Sequence, residues 1–469
     1  MAKTIHFVSL GCPKNQVDTE IMLGVSAGSG YDHVDDPRAA EVIVVNTCGF
    51  IDAAKQESLH TVLELAAMKE EGRCERLVMA GCLAQRYVDE LSDSLPEVDH
   101  FLGSSDMLQL RQVLDHQAER ILVGNPADYS MRASDPRRLS QRRHSAYLKI
   151  AEGCNRHCSF CAIPSFRGKQ RSRPLADIVL EAEQLIDQGV VELNLISQDT
   201  IAYGRDLPGK CALSDVVEAL AALPGLGWLR LHYLYPERID ARLMTLMAEH
   251  PKVLPYIDMP LQHASDAMLR RMRRGHGGAR LYRLIDQLRR RISDVSLRSA
   301  FIIGHPGESE EDFRALYDFI AWAQFDHLGL FRYSPEEGTA SAGQEGAVSA
   351  AAAYRRQRKL MALQRKVSRK RLKARRGAVL EVLVDGVSDE SDWLTEGRHG
   401  GQAIDVDGKV ILTDAQPAPG TFCQVRITDS GDYDLVGQVL SAAPAASPQA
   451  PTGTRSSSGK RRLPVSTLL

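Results

Sequence analysis

Three short apolar runs, IHFVSL, EVIVVN and RLVMAG, punctuate the first hundred residues. Between them lie helical patterns, one running through Ile21 and the other reading AAKQESLHTVLELAAMKEE. Strand and helix in this alternation predict a βαβαβ unit with a parallel sheet. A longer region repeats the theme with AYLKI, VVELNLI, WLRLHYL, VLPYIDM, LRSAFII and HLGLFRY, separated by helical segments such as LADIVLEAEQLIDQ and RLYRLIDQLRRRI. Six strands with intervening helices predict a partial (β/α)6 barrel, whose active site belongs at the C-terminal ends of its strands. Ser309 with Asp312 reads as a capping box that opens the helix before Trp322. Further on, VLEVLVD, KVILTD, FCQVRIT and YDLVGQVL, broken by Gly, Asp and Ser, predict a small antiparallel barrel.

The fold class is therefore α/β with an all-β appendage. An N-terminal parallel α/β domain is expected over 3–115, the partial barrel over 140–370, the small barrel over 373–440, and a disordered Ala-, Pro- and Ser-rich tail over 441–469. The polar stretch MRASDPRRLSQRRHS, Met131 to Ser145, reads as a linker.

The hydrophobic fraction of 43% and charged fraction of 25% are those of a soluble globular protein, and no apolar run is long enough to cross a bilayer. The N-terminal apolar segment is too short for a signal peptide, so a cytoplasmic location is expected. Thiols stay reduced there, and nine cysteines, an odd number, read as metal ligands or buried thiols and not as a disulfide framework. A net charge of −2 conceals an uneven distribution. From Tyr354 to Arg376 there are twelve Lys or Arg and no acid; from Ala378 to Leu440 there are three basic and twelve acidic residues, a balance of −9.

The positions of the cysteines carry the chemistry. Cys12, Cys48 and Cys82 each follow one of the first three predicted strands, in LGC, NTC and AGC. In an open parallel sheet those positions lie on one edge, where ligands collect. Any one of them reads equally as a buried core thiol; three in the same topological position form a constellation. The second set is EGCNRHCSFC, with Cys154, Cys158 and Cys161 after the first barrel strand. Two centres suit it: a Cys3His zinc site using His157, or an iron–sulfur cluster with one iron left open. His157 immediately precedes Cys158 and is awkwardly placed to face the same ion. Cys74, Cys211 and Cys423 fall outside both sets and have no assigned role.

With these motifs the chain resembles the radical S-adenosylmethionine (SAM) superfamily, and within it the methylthiotransferases, which join a three-cysteine N-terminal domain, a radical SAM barrel and a TRAM barrel. The resemblance runs from about Lys3 to Leu440 and includes YLKIAEGCNRHCSFCAIPSFRGKQRSRP, NLISQDT, MPLQHASDAML, FIIGHPGE and YSPEEGTASA. It implies that Cys154, Cys158 and Cys161 hold a 4Fe–4S cluster whose free iron binds SAM. It further implies that Cys12, Cys48 and Cys82 hold a second 4Fe–4S cluster carrying the sulfur to be transferred. Two SAM molecules are consumed, one to methylate that sulfur and one to generate the radical that activates the acceptor carbon. Phe160 is a candidate for the adenine site, and Gln198 and Gln262 stand where barrel strands end; each has an equally good structural reading. Gly304 resembles the superfamily's SAM-contacting glycine region, although Gly and Pro there also suit a plain turn.

Within the methylthiotransferases, SLGCPKNQVDTE and NTCGFIDAAKQES resemble the branch that modifies the β-carbon of an aspartate in ribosomal protein S12, in place of the branch that modifies a tRNA adenosine. The acidic final module points the same way: RNA affinity depends on cations displacing counterions, whereas an acidic surface suits a basic protein partner. The partners implied are ribosomal protein S12, in the small subunit or free, and an electron donor such as flavodoxin or ferredoxin. A non-catalytic iron–sulfur or zinc protein that binds RNA is the reading from another class, and it has no need of an open-site CxxxCxxC motif.

Overall fold

The computed structural model describes residues 3–442 apart from 141, 210, 238, 389 and 390. Most of the tail expected to be disordered, 443–469, lies outside the described residues. The first sheet has the order β2-β1-β3-β4-β5-β6 and is parallel throughout. Its strands are β1 (Lys3–Ser9), β2 (Tyr31–His33), β3 (Val42–Thr47), β4 (Arg76–Gly81), β5 (His100–Leu102) and β6 (Ile121–Leu122). Side chains alternate between its faces, so Val42 and Val44 pack with Val17 and Ile21 of the helix Pro13–Gly28, while Ile43 and Val45 pack with Val62 and Leu65 of the helix Asp52–Ala66. Burial on both faces explains the unbroken apolar run EVIVVN.

The second sheet is an open, fully parallel curve of six strands in the order β14-β13-β12-β11-β10-β7. The strands are β7 (Ser145–Lys149), β10 (Glu192–Ile196), β11 (Trp228–Leu231), β12 (Val253–Asp258), β13 (Ser296–Ile303) and β14 (His327–Arg332), all six expected from the apolar pattern. A two-stranded ribbon, β8 (Ala151–Glu152) with β9 (Arg171–Ser172), frames the loop of the second cysteine set. The helix Glu310–Ala323 opens with the anticipated Ser309/Asp312 capping box.

A closed five-strand barrel ends the fold: β15 (Val379–Val387), β16 (Thr395–His399), β17 (Val410–Leu412), β18 (Phe422–Ser430) and β19 (Leu435–Ala442). The strand β16, TEGRH, has no apolar signature, because what it buries is charge. Arg398 donates to Glu192 of the partial barrel at 2.7 Å and to Asp385 at 2.8 Å. Asp385 also meets His144 at 2.9 Å, and Trp228 packs on Phe422 with ring centroids 5.1 Å apart. The two barrels are thus joined through a desolvated ion cluster beside an aromatic pair.

Two expectations from composition change. The stretch from Met131 to Ser145 is a strap: the Arg137 side chain is 7% exposed and donates to Glu20 at 2.6 Å, Glu181 at 2.5 Å and the Tyr147 carbonyl at 2.7 Å. The acidity of the final module is in large part spent inside the chain. Asp385, Glu396 and Asp407 pair with Arg398, Lys409 and Arg298, and Asp429 and Asp432 meet Arg376 and Arg369 of the basic segment. The helix Ala350–Lys373 is correspondingly anchored, with Leu360 in the core of the partial barrel and Arg356 buried against Glu310.

Candidate active site

The edge position of the first three cysteines follows from the strand endings. Cys12 caps the helix Pro13–Gly28, Cys48 follows β3, and Cys82 opens the helix Cys82–Ser94 directly after β4. Gly11 makes the close approach between the first two: its φ is +90°, and a Cβ there would stand 2.8 Å from that of Cys48. Asn15 ties the two loops together, donating to the carbonyls of Leu10 at 3.1 Å and Thr47 at 2.9 Å. Burial, and then the neighbouring sulfurs of Cys82 and Cys12, push the Cys48 thiol well up; burial likewise raises Cys82 to about 11.

The second set lies on the loop between β8 and β9. The Cys154 N–H donates to the Gly168 carbonyl at 3.1 Å, and Arg274 donates to the Cys158 sulfur at 3.3 Å. Burial raises Cys154 to about 11 and Cys161 to about 12. All six cysteines line one cavity of about 300 Å³. Phe160, Gln198 and Gln262 also line it. Gly304 does not: its φ of +77° serves a turn, its N–H donates to Glu308, and a Cβ there would meet Ala353 at 2.8 Å. His157 is exposed and stands outside the walls, which removes it from a zinc shell with the three cysteines. Among the described residues no three His, Cys, Asp or Glu side chains converge as a single metal ion requires. A 4Fe–4S cluster takes its thiolates on separate irons, and N–H donors to sulfur of the kind seen here are what steady such ligands.

Several wall residues carry no pattern visible in sequence. Arg167 reaches from the barrel across to the first sheet, donating to Asn15 at 2.6 Å, Asp18 at 2.8 Å and the Cys82 sulfur at 3.1 Å. Lys149 completes the network with Asp18 at 2.5 Å and Glu152 at 2.8 Å, so two cations and two carboxylates balance in a buried site. Burial works to raise Glu152, but Lys149 and Arg167 outweigh it and hold the carboxyl at about 2. Gln198 donates to Glu152 from the cavity side. Opposite, Asp258 accepts from Arg298 at 3.3 Å and sits 3.2 Å from His232; these partners overcome burial and hold it at about 2. Also on the cavity wall, the Lys14 ammonium lies 3.0 Å from the centre of the Tyr233 ring. Burial lowers Lys14 to about 8.

The comparisons with known proteins agree with this geometry. Residues 4–103 match the model described as Uncharacterized protein family UPF0004, residues 148–320 the Radical SAM superfamily, and residues 377–440 the TRAM domain. The chain is 57% identical over 445 residues to the ribosomal protein uS12 methylthiotransferase RimO of Sorangium cellulosum (strain So ce56), covering 94% of this chain and 91% of that protein. It is 47% identical to the protein of the same name from Myxococcus xanthus (strain DK1622), covering 93% and 92%. Among solved structures, the radical SAM methyltransferase TsrM of Kitasatospora setae, with cobalamin and a [4Fe-4S] cluster bound, aligns with a TM-score of 0.52 at 15% identity. That alignment covers 71% of this chain and 77% of TsrM, and shows the shared fold.

Fold and site together define a radical SAM methylthiotransferase, an enzyme class that works with SAM and 4Fe–4S clusters. Within that class the chain belongs to the RimO family.

Proposed function

We propose that this chain methylthiolates the β-carbon of an aspartate in ribosomal protein uS12. The observation that carries the reading is that both cysteine triplets open on one cavity, in a chain so close to the RimO proteins. In this reading Cys154, Cys158 and Cys161 hold the SAM-binding cluster, and Cys12, Cys48 and Cys82 hold the cluster that carries sulfur. Together with SAM, those centres supply the radical that activates the acceptor C–H bond and the methylated sulfur that replaces its hydrogen. The chain's own part is placement and exclusion of water. Phe160, Gln198 and Gln262 line the SAM side of the cavity. The network of Arg167, Asp18, Lys149 and Glu152 ties the sulfur-carrying edge to the barrel, so the distance between the two centres is held by paired, desolvated charges. The N-terminal sheet thus serves as the sulfur-carrying domain and the partial barrel as the radical domain.

A low-potential one-electron donor such as a flavodoxin or ferredoxin completes the system, and the substrate, free or in the small ribosomal subunit, places the enzyme in the cytoplasm. The test is anaerobic reconstitution followed by reaction with uS12 and with tRNA. Expected are about eight irons per chain, SAM cleavage and a methylthio adduct on the uS12 aspartate. A methylthioadenosine in tRNA with uS12 unmodified would overturn the assignment.

A further inference from the structure

We infer that the exposed face of the helix Ala350–Lys373 binds the phosphate backbone of RNA, so that the enzyme meets uS12 while that protein lies on ribosomal RNA. The inference rests on the function proposed above and adds the surface that brings enzyme and substrate together. Ala353, Arg356, Leu360, Gln364 and Val367 form the buried side of this helix. At about 100° per residue, Arg355, Arg358, Lys359, Lys366, Lys370 and Lys373 fall within about 120° of one another on the opposite side. All six are exposed. Among the described residues none of the six forms an ion pair: the carboxylates that reach this helix, Glu308, Glu310, Asp326 and Asp432, are held by its other arginines, Arg356, Arg371, Arg365 and Arg369.

The row has a definite place in the fold. Gln357 donates to the Leu330 carbonyl at 2.8 Å and Gln364 to the Phe325 carbonyl at 2.9 Å, so the helix runs antiparallel to β14. Its first turns therefore stand at the end of the barrel where Arg332 and Tyr333 line the cavity. From Arg355 to Lys373 the row extends about 27 Å, long enough to follow several phosphates of one strand. Cations spaced along such a row gain affinity by displacing the counterions of a polyanion. Tyr354, 51% exposed and with Arg358 6.0 Å from its ring centre, adds a face on which a base can stack. An anionic membrane is the poorer fit, because an interfacial helix buries its apolar face in lipid and here that face is occupied by the barrel. A substrate that is a ribosomal protein presents itself among RNA phosphates, which supply the charge this face lacks.

The test compares the reconstituted full-length enzyme with a variant that combines Arg355→Gln, Arg358→Gln, Lys366→Gln, Lys370→Gln and Lys373→Gln; Lys359 stays because it also packs 5.0 Å from the Tyr317 ring centre. Exposed substitutions of this kind leave the fold intact. Binding of a labelled single-stranded RNA is followed by anisotropy as salt is raised. Each phosphate contact adds about 0.7 to the slope of log affinity against log salt, so the variant should lose about 3 from that slope and bind about tenfold or more weakly at low salt. It should load iron and methylthiolate free uS12 as the wild type does, and modify uS12 in isolated small ribosomal subunits about tenfold more slowly. A variant that exchanges Arg for Lys and Lys for Arg at the same five positions should behave as wild type. RNA affinity and salt slope unchanged by the glutamine substitutions would overturn the inference, as would an unchanged rate on subunits. Wild-type enzyme that prefers phosphatidylglycerol vesicles or polyglutamate to RNA would overturn it too. If uS12 stays unmodified, free and in subunits, by an enzyme that binds RNA as expected, the proposed function falls instead.

Discussion

Arg167 and Cys82 meet across the boundary between the first sheet and the barrel, with the guanidinium Nη2 3.1 Å and Nε 3.3 Å from the sulfur. The arginine follows closely on Cys161 in sequence, so the loop that carries one cysteine set also supports a member of the other. A hydrogen-bond donor to a cysteine sulfur orients the ligand and offsets its charge. Because the same guanidinium binds Asp18 and Asn15 of the helix Pro13–Gly28, a shift of either domain is felt at Cys82.

Removing that guanidinium should destabilise the protein strongly. In Arg167→Met, Lys149 is left to balance both Asp18 and Glu152 in a buried site, and breaking a buried pair in this way costs about 3–5 kcal/mol. The double variant with Asp18→Asn restores the charge balance and should recover part of the loss. Urea midpoints of the two proteins check this. A single variant as stable as wild type would show that the network is solvated.

The two cysteine sets should separate functionally. Cys12→Ala is expected to lose about half the iron and still cleave SAM, because the set on the barrel loop is intact. Cys158→Ala should lose a comparable amount and cleave none. Iron content and 5′-deoxyadenosine yield, measured together, decide the matter; SAM cleavage lost in both variants would mean that the sets do not act as independent centres.

How far this was legible depends on whether an element's role is apolar. The strands β3, β4 and the six of the barrel announce themselves because their side chains enter dry cores, and the cysteine positions follow from where those strands end. The strand β16 was illegible because Glu396 and Arg398 enter the interior as ion pairs, leaving the period-two signature without apolar residues. The strands β2, β5 and β6 are two or three residues long and too short to show a period. Gly304 shows a turn in a suggestive motif: its φ is +77° and an added Cβ would meet Ala353 at 2.8 Å. Lys14 and Arg167 were visible as letters in GCPKN and SFRGK, but their chemistry arises only where two domains face each other. The count of −9 in the final module was correct as a count; its use as a free surface was not, since Asp385, Asp407 and Asp432 are matched within the chain.

The joint between the barrels should open in acid. Glu192 is fully buried; burial raises its pKa, but Arg398 and Arg230 outweigh it and hold the carboxyl at about 2, against 4.5 for an ordinary glutamate. A carboxyl lowered in the folded state contributes stability that is fully present above the unfolded value and is lost as pH falls through the folded one. The window is therefore about pH 4.5 down to about 2, with on the order of 3 kcal/mol at stake from this group. Asp385, held low by the same Arg398 despite its burial, acts in the same direction. Trp228 reports the event, since it is buried at the joint while Trp322 and Trp393 are exposed. Its emission should move to the red between pH 5 and pH 2 and return on neutralisation. Emission unchanged across that range would place the ion cluster outside the forces that hold the barrels together.

Gly11, next to Cys12, leaves no room for a side chain. Its φ of +90° is unfavourable for an L-residue, and an added Cβ would meet the Cβ of Cys48 at 2.8 Å and its sulfur at 3.0 Å. The conformational part alone costs about 1–2 kcal/mol. Relief of the contact requires Cys48 to move away from Cys12, so Gly11→Ala is expected to load less iron at this set while the barrel loop keeps its own. Gly189, also at positive φ but in open space with nothing within 4 Å, isolates the backbone contribution. Gly189→Ala should lower thermal stability by a similar conformational amount and leave iron content unchanged. Equal iron in both variants would mean that the approach of Gly11 to Cys48 is not what sets the spacing of the thiolates.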